Sequence, residues 1–234
     1  MFDHGRQYGS LSGSGREPRQ LQAESSLQPA SYLFVEAAFK VLPTPGAGED
    51  RAIAVPAAGG YLVAVADGAG GTGGGSAAAD GLIEFLSRLT EKAATTDWFG
   101  ALCTFDDELV ARRLGAQTTA VVAFVKDDRI LGASVGDSSA WLIAQAGEIT
   151  DLTARQRRRP LLGSGEALPV QFEAELRGGR MLLGSDGLFK YATAERICAL
   201  ATQGSVADAA NALANCVRLP SSGLQDDVSV VLLI

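Results

Sequence analysis

The sequence predicts one globular domain that combines β-strands with amphipathic helices. Its 234 residues are 47% hydrophobic and 20% charged, a balance typical of a folded chain rather than a disordered one. Short apolar runs bounded by Gly and Pro predict strands, and stretches with apolar residues at helical spacing predict helices. We place the domain at residues 30–234, which can bury one sizeable core. Residues 1–29 are rich in Gly, Ser, Gln and Arg and are expected to form a flexible leader.

The amino-acid composition of the chain argues against several classes of function. The net charge of −7 argues against nucleic-acid binding, which requires an excess of Lys and Arg. No apolar run has the length of a membrane span, and the N-terminus lacks a signal-peptide pattern, so we expect a cytoplasmic protein. Cys103, Cys198 and Cys216 lack metal-binding spacing and are expected to be free thiols. His4, the only histidine, lies in the leader, so the domain has no imidazole for acid–base chemistry.

The central stretch runs from Tyr61 to Ser76. Residues 61–66 are all apolar or aromatic and predict a strand buried on both faces. This strand is expected to stop at Asp67. Six of the eight residues from Gly68 to Gly75 are Gly, so the backbone there can approach a bulky or charged group closely. Ser76 is expected to cap the following helix.

The other elements follow from the same periodicities. Strands are predicted at 32–42, 52–55, 118–125, 130–135, 140–144, 171–176, 180–183 and 228–234. Helices are predicted at 76–90, 98–114, 194–202 and 206–217, with Asp97 as the cap of the second. The strands at 171–176 and 180–183 flank Gly178-Gly179 and are expected to pair with each other. The stretch 152–169 has no clear period and is predicted to be a surface loop.

Carboxylates recur at the ends of these predicted strands. Three follow a strand and two acidic pairs precede one: Asp67, Asp137 and Asp186, and Glu49-Asp50 and Asp226-Asp227. Because the start of a strand adjoins the end of its antiparallel neighbour, these acids are expected to gather at one rim. Packed carboxylates stay ionised only with cations among them, and all-oxygen ligands select Mg²⁺ or Mn²⁺. Two such ions sharing a carboxylate and a water would suit in-line displacement at phosphorus.

Six segments resemble, in order, those of the metal-dependent protein serine/threonine phosphatases of type 2C. They are residues 49–50, 65–71, 115–120, 135–141, 185–188 and 226–231. The resemblance extends over about residues 30–234. It implies an α+β fold, a four-layer α-β-β-α sandwich of two antiparallel sheets flanked by helices. It also implies an enzyme that hydrolyses phosphoserine and phosphothreonine by in-line attack of a metal-bridging water.

The resemblance assigns the acids to a binuclear Mn²⁺ or Mg²⁺ centre. Asp67 would bridge both ions, and the Gly68 carbonyl would bind one of them. Asp186 and Asp226 would complete the first ion's ligands. The acid pair Glu49 and Asp50 would bind the second ion or its waters, with Asp50 the stronger candidate. Asp137 with Asp186 matches a weaker third site of some bacterial relatives. The implied catalytic set is Asp50, Asp67, Asp186 and Asp226.

The substrates implied are phosphorylated proteins, targets of a serine/threonine kinase, and we expect a monomer. Two positions depart from relatives: Ala69 stands where many have histidine, and Pro45 where animal-type members have a phosphate-holding arginine. Lys40 or Arg51 is the expected substitute for that arginine. Residues 154–165 match a mobile flap, whose Arg157, Arg158 and Arg159 would grip a phosphopeptide; a solvated loop is the alternative.

Two other functions fit parts of the sequence. Gly68, Gly70 and Gly73 satisfy the dinucleotide-binding pattern, although the next predicted strand is too distant for a single βαβ crossover. The second alternative is a pseudophosphatase that keeps the fold and binds phosphoproteins as a regulator with little or no turnover. Ala69 and the missing phosphate-holding arginine favour it, whereas the intact set of acids opposes it because such a cluster is costly without metal.

Overall fold

The computed structural model describes residues 35–45, 48–69, 74–113 and 115–234. The predicted leader at 1–29 lies outside the described residues, as do the start of the first predicted strand and the centre of the glycine-rich loop. Elements are numbered below in chain order.

Two antiparallel sheets form the centre of the fold. The first has the strand order β1-β11-β10-β7-β8, with β1 Ala37–Leu42, β7 Ser139–Ile143, β8 Ile149–Asp151, β10 Arg180–Gly184 and β11 Val228–Leu233. The second has the order β2-β3-β5-β6-β9, with β2 Asp50–Ala57, β3 Gly60–Ala69, β5 Ala120–Lys126, β6 Arg129–Val135 and β9 Val170–Glu175. The short β4, Gln117–Thr118, pairs with the end of β3.

Five α-helices and one 3₁₀ helix are described. They are α1 Gly74–Ser87, α2 Trp98–Ala111, α3 Asp186–Phe189, α4 Ala194–Ala201 and α5 Val206–Asn215, with the 3₁₀ helix at Thr90–Thr95. The Asp97 side chain accepts a hydrogen bond from the Phe99 N–H at 3.1 Å, as its predicted capping role requires. Ser76 is not the cap of α1, which begins two residues earlier at Gly74. No helix in the described ranges is both long enough and apolar enough to cross a membrane.

Three apolar clusters define four layers. The middle cluster, which includes Val65, Val121 and Val231, lies between the facing sheets. A second cluster joins the outer face of the β3 sheet to α1 and α2, and a third joins the outer face of the β11 sheet to α4 and α5. The order helix, sheet, sheet, helix confirms the predicted α-β-β-α sandwich. Burial of these apolar side chains is the main stabilising contribution to such a fold.

One predicted strand pairing is wrong. The strands at 171–176 and 180–183 exist as β9 and β10, but they belong to different sheets: β9 pairs with β6, and β10 pairs with β7 and β11. Arg177 and Gly178 take positive φ angles of 49° and 68°, which turn the chain from one sheet into the other. Local sequence signals mark where a strand ends, but they do not identify its partner.

The strand pairings also exclude the dinucleotide-binding alternative. That fold places its glycine-rich turn between two parallel strands. Every pairing between the described strands is antiparallel, and β3 itself pairs with β2, β4 and β5 in that sense.

Candidate metal centre and substrate cleft

The two sheets bring the predicted acids to one rim. Asp50 is the first residue of β2 and lies directly opposite Asp67 of β3. Asp186 begins α3 immediately after β10, and Asp226 lies two residues before β11, the antiparallel neighbour of β10. Asp137 follows β6. Acids separated by up to 176 residues in sequence therefore meet because antiparallel strands alternate their starts and ends.

Three of these carboxylates form a close cluster. One oxygen from each of Asp67, Asp137 and Asp186 lies within 4.8 Å of the others. They line a cleft of about 530 Å³. Ala69 also lines the cleft, together with three basic residues: Arg158, Arg159 and Lys190. The cleft thus combines clustered negative charge with three cationic groups.

The acids at this rim are electrostatically strained. Burial, followed by repulsion from Asp50 and Asp186, raises the pKa of Asp67 to about 9. Burial is also the main cause that raises the pKa of Asp50 to about 7; the Ser185 and Ser229 hydroxyls offset part of this effect, and repulsion from Asp227 and Asp186 adds to it. Burial raises the pKa of Asp186 too, although Lys190 offsets part of the effect. Each carboxylate is therefore costly to ionise unless a cation is bound nearby.

The donor set fits hard divalent cations. All the clustered ligands are oxygens, the type that Mg²⁺ and Mn²⁺ prefer. Asp50 Oδ2 is buried, and no residue in the described ranges hydrogen-bonds to it. A buried carboxylate oxygen without a donor is unfavourable in the protein alone, and a cation would satisfy it.

Asp67 is fixed in place by the threonines of the β4–β5 segment. Its backbone N–H donates to Thr119 Oγ1 at 3.0 Å, and its carbonyl accepts from the Thr119 N–H at 2.8 Å. Thr118 Oγ1 also donates to the Asp67 carbonyl, at 3.1 Å. Thr119 Oγ1 lies 2.7 Å from Ser138 Oγ, next to Asp137. These contacts couple the position of the central carboxylate to that of a second member of the cluster.

Glycine is required where β3 meets α1. A Cβ built on Gly68 would lie 2.4 Å from the Gly75 carbonyl, and one built on Gly75 would lie 2.7 Å from the Gly68 carbonyl carbon and 2.8 Å from Glu49 Oε1. Any larger residue would separate the two backbones. The contact keeps the start of α1 and the Glu49 side chain beside the predicted metal-binding carbonyl of Gly68.

Asp227 has a structural role that the sequence did not reveal. Its carboxylate accepts hydrogen bonds from the Thr44 N–H and Oγ1, both at 2.7 Å, and from the N–H groups of Glu49 at 2.5 Å and Asp50 at 3.4 Å. Burial alone would raise the pKa of Asp227, but these donors outweigh it and lower the pKa. Asp227 therefore fixes the loop that carries the acid pair.

Lys190 is a second feature that the sequence reasoning missed. Its ammonium forms an ion pair with Asp186 and lies 3.6 Å from Asp226 Oδ2. A signal was present, because a lysine four residues after an aspartate faces the same side of a helical turn. Lys190 thus contacts both carboxylates that the resemblance assigns to the first ion.

The basic residues predicted to replace the missing arginine lie elsewhere. Arg51 Nη2 donates to Asp80 Oδ2 at 3.0 Å and to Ser76 Oγ at 2.7 Å, and Nη1 donates to the carbonyls of Gly48 and Asp50. Lys40 lies within β1, opposite Val230. Neither Arg51 nor Lys40 is among the described residues that line the cleft.

The predicted flap closes one side of the cleft. Arg158 donates from Nε and Nη2 to Asp137 Oδ2, at 3.0 and 2.8 Å, and Arg159 lines the cleft beside it. Arg157 is exposed and does not belong to the described lining.

The root of this flap is held by Asp106 of α2. Its buried carboxylate accepts from the N–H groups of Gly163, Gly165 and Ala167, at 2.5, 3.2 and 3.1 Å. Leu162 and Thr118 also exchange two backbone hydrogen bonds, both of 3.1 Å. The flap is therefore anchored to the helix and to the segment that fixes Asp67.

Comparison with solved structures gives strong matches. The catalytic domain of the serine/threonine phosphatase PstP in complex with two manganese ions is 25% identical with a TM-score of 0.73, covering 85% of this chain and 97% of that one. The Mycobacterium tuberculosis phosphatase PstP/Ppp is 23% identical with a TM-score of 0.70, covering 85% and 97%. Stp1 of Staphylococcus aureus is 22% identical with a TM-score of 0.73, covering 85% and 94%.

Sequence-level comparisons do not add to this result. No protein-family model matches the chain, and no curated protein matches it. The structural matches nevertheless extend over nearly the whole length of each phosphatase. The chain therefore has the fold of the bacterial type 2C serine/threonine phosphatases.

Proposed function

We propose that this chain is a metal-dependent protein phosphatase that hydrolyses phosphoserine and phosphothreonine in phosphoproteins. The observation that carries the proposal is the cluster of strained carboxylates, Asp67, Asp137 and Asp186, in a cleft of a phosphatase fold. Structural ion pairs also perturb pKa values. Here, however, the acids outnumber their basic partners, because only one lysine and one arginine form ion pairs with the cluster. The remaining repulsion between the carboxylates is one that divalent cations would relieve.

We assign the ligands residue by residue. Asp67 would bind both ions, with the Gly68 carbonyl on one of them, and Asp186 and Asp226 would bind the first. Glu49 and Asp50 would bind the second ion or its waters, and Asp137 with Asp186 would bind a weaker third ion. A similar structure, the PstP catalytic domain, is a complex with two manganese ions, which supports Mn²⁺ at two sites. Bound Mn²⁺ or Mg²⁺ supplies a water of lowered pKa and neutralises phosphate oxygens.

The protein's own groups would fix the geometry. Thr118 and Thr119 hold Asp67, and Asp227 holds the backbone of Glu49 and Asp50. Preorganised ligands of this kind cost little reorganisation during the reaction. Ala69 places no proton-transfer group in the cleft, so the leaving alkoxide would take its proton from water. The flap residues Arg158 and Arg159 border the entrance, where a phosphoprotein would approach.

Hydrolysis of p-nitrophenyl phosphate tests the proposal. The wild type, Asp67→Asn and Asp186→Asn are compared with Mn²⁺, with Mg²⁺ and with EDTA. The matched control is Asp127→Asn, an exposed turn residue at the far end of β5. We expect metal-dependent turnover by the wild type and the control, and a loss of more than about 100-fold in both site variants.

Thermal stabilisation by Mn²⁺, which does not depend on turnover, should disappear in the same two variants. A folded wild type that binds Mn²⁺ but hydrolyses neither this substrate nor a phosphopeptide would overturn the proposal. The pseudophosphatase would then be the better description.

A further inference from the structure

We propose that Lys190 is the residue that holds the substrate phosphate in this cleft, a role that the sequence assigned to Lys40 or Arg51. The inference rests on the proposed phosphatase function. It identifies a substrate-contacting residue that lies 139 positions after Arg51 in the chain.

The basic residues near the acids differ in how far their donors are already occupied. Arg51 is surrounded by acceptors from Asp80, Ser76, Gly48 and Asp50, so its donors are already used. The described basic residues of the cleft are Arg158, Arg159 and Lys190. Two of these belong to the flap, and Arg158 already forms two hydrogen bonds with Asp137.

Lys190 directly follows α3, a short helix that is firmly packed. The Lys190 N–H donates to the Asp186 carbonyl at 2.8 Å, which closes the single turn of α3. Leu188 in that turn is fully buried. A Cβ at Gly187 would lie 1.9 Å from the Asp227 carbonyl, so the turn packs directly against the backbone before β11. The backbone of Lys190 is therefore held in a fixed position beside the clustered acids.

Metal binding would change the partners that attract the Lys190 ammonium. In the protein alone, the Lys190 ammonium is attracted by Asp186 and Asp226, the two carboxylates proposed for the first ion. Once those carboxylates share their charge with a divalent cation, their attraction for the ammonium falls. The Lys190 side chain is 42% exposed, so reorienting it into the cleft costs little. A phosphate dianion then becomes its strongest available partner, and the ammonium offers three donors to the phosphate oxygens.

The experiment measures binding of inorganic phosphate to the Mn²⁺-loaded protein by calorimetry. The variants are Lys190→Met, which removes the charge, and Lys190→Arg, which keeps it. The control is Lys92→Met, which removes an exposed lysine on the 3₁₀ helix at Thr90–Thr95. The Mn²⁺ affinity of each protein is measured in parallel, so that a loss of phosphate binding is not confused with a loss of metal.

We expect Lys190→Met to weaken phosphate binding about 10-fold, while Lys190→Arg stays within about 3-fold of the wild type. Mn²⁺ should bind to Lys190→Met as tightly as to the wild type or more tightly, because a competing cation is gone. KM for p-nitrophenyl phosphate should rise in parallel with the phosphate dissociation constant. Lys92→Met should resemble the wild type in every measurement.

Unchanged phosphate affinity in Lys190→Met with its Mn²⁺ bound would overturn the assignment and leave Lys190 as a counter-ion of the acids. Absence of phosphate binding to the Mn²⁺-loaded wild type would overturn it as well. Failure of the phosphatase function is a distinguishable result: phosphate would bind through Lys190, but no substrate would be turned over.

Discussion

Buried and half-buried aspartates in the described residues fall into two groups with opposite environments. Asp106 and Asp227 accept three and four hydrogen bonds, mostly from backbone N–H groups, and each fixes a loop. Asp50, Asp67 and Asp186 lie at the cleft rim, where burial raises the pKa of each. We call the first group the anchoring aspartates and the second the rim aspartates.

This contrast shows that the surroundings of an aspartate, and not its residue type, determine whether it stabilises a loop or favours binding of a cation. An aspartate whose oxygens are satisfied by donors is stable as an anion and stabilises the loop that it binds. An aspartate buried among other acids is destabilising as an anion, and it becomes favourable when a cation binds. Asp226 and Asp227 are adjacent in sequence, yet Asp227 anchors a loop and Asp226 extends toward Lys190.

The largest expected effect is a difference in stability between variants of Asp226 and Asp227. In EDTA, Asp227→Ala should lower the free energy of unfolding by about 3 kcal/mol or more, because several donors lose a charged acceptor. Asp226→Ala should change it by less than about 1 kcal/mol, since the side chain is 46% exposed. Urea denaturation measures both values. Equal losses in the two variants would show that Asp227 does not anchor the loop more strongly than its neighbour Asp226 does.

The next effect is the pH dependence of stability in the metal-free protein. The pKa values of Asp50 and Asp67 are raised from the ordinary 3.8 to about 7 and about 9. At a pH between the ordinary pKa and the raised pKa of each group, the folded state keeps a proton that the unfolded state has released. Stability should therefore fall as pH rises from about 5 to about 9. Asp227 acts in the opposite sense. Its pKa is lowered, so the stability that it contributes is present above its ordinary pKa and is lost only in acid.

Thermal unfolding in EDTA at several pH values checks this prediction. Near pH 9, Asp67→Asn should be more stable than the wild type. Its stability should also depend much less on pH, because the variant removes the group with the most strongly raised pKa. Saturating Mn²⁺ should cancel or reverse the slope, since cations bind the ionised carboxylates. A metal-free wild type whose unfolding temperature is the same across the range would contradict the raised pKa values. The exposed Asp127→Asn serves as the control, with the wild-type slope expected.

The buried strands were predictable from sequence because their signals are local, although β3 continues past its predicted stop at Asp67 to Ala69, where it pairs with β4. The six-residue apolar run before Asp67 and the run after Asp227 identify buried strands without any knowledge of their partners. Antiparallel pairing then places the acids at one rim, as expected. The β9–β10 pairing was predicted wrongly because the turn at Gly178 resembles a hairpin, whereas the chain crosses between sheets there.

The roles of the anchoring aspartates were not predictable in the same way. Asp106 belongs to a helix, and its partners Gly163, Gly165 and Ala167 lie at least 57 residues away. Hydrogen bonds over such separations leave no periodic pattern in either segment. Lys190 was missed for a different reason: its spacing from Asp186 was visible, but the turn of α3 was not predicted as helical.

The smallest expected effect concerns the anchor of the flap. Asp106→Asn keeps one oxygen acceptor but places the amide NH₂ group against a backbone N–H of the loop at 163–167. The variant should therefore lower the free energy of unfolding by about 1 kcal/mol. A looser root should let Arg158 and Arg159 leave the cleft more often. We expect trypsin to cleave the flap several-fold faster and KM for a phosphopeptide to rise, with kcat for p-nitrophenyl phosphate unchanged. The control Asp107→Asn alters an exposed neighbour on the same helix and should match the wild type. Equal cleavage rates in the two variants would mean that Asp106 stabilises the helix without positioning the flap.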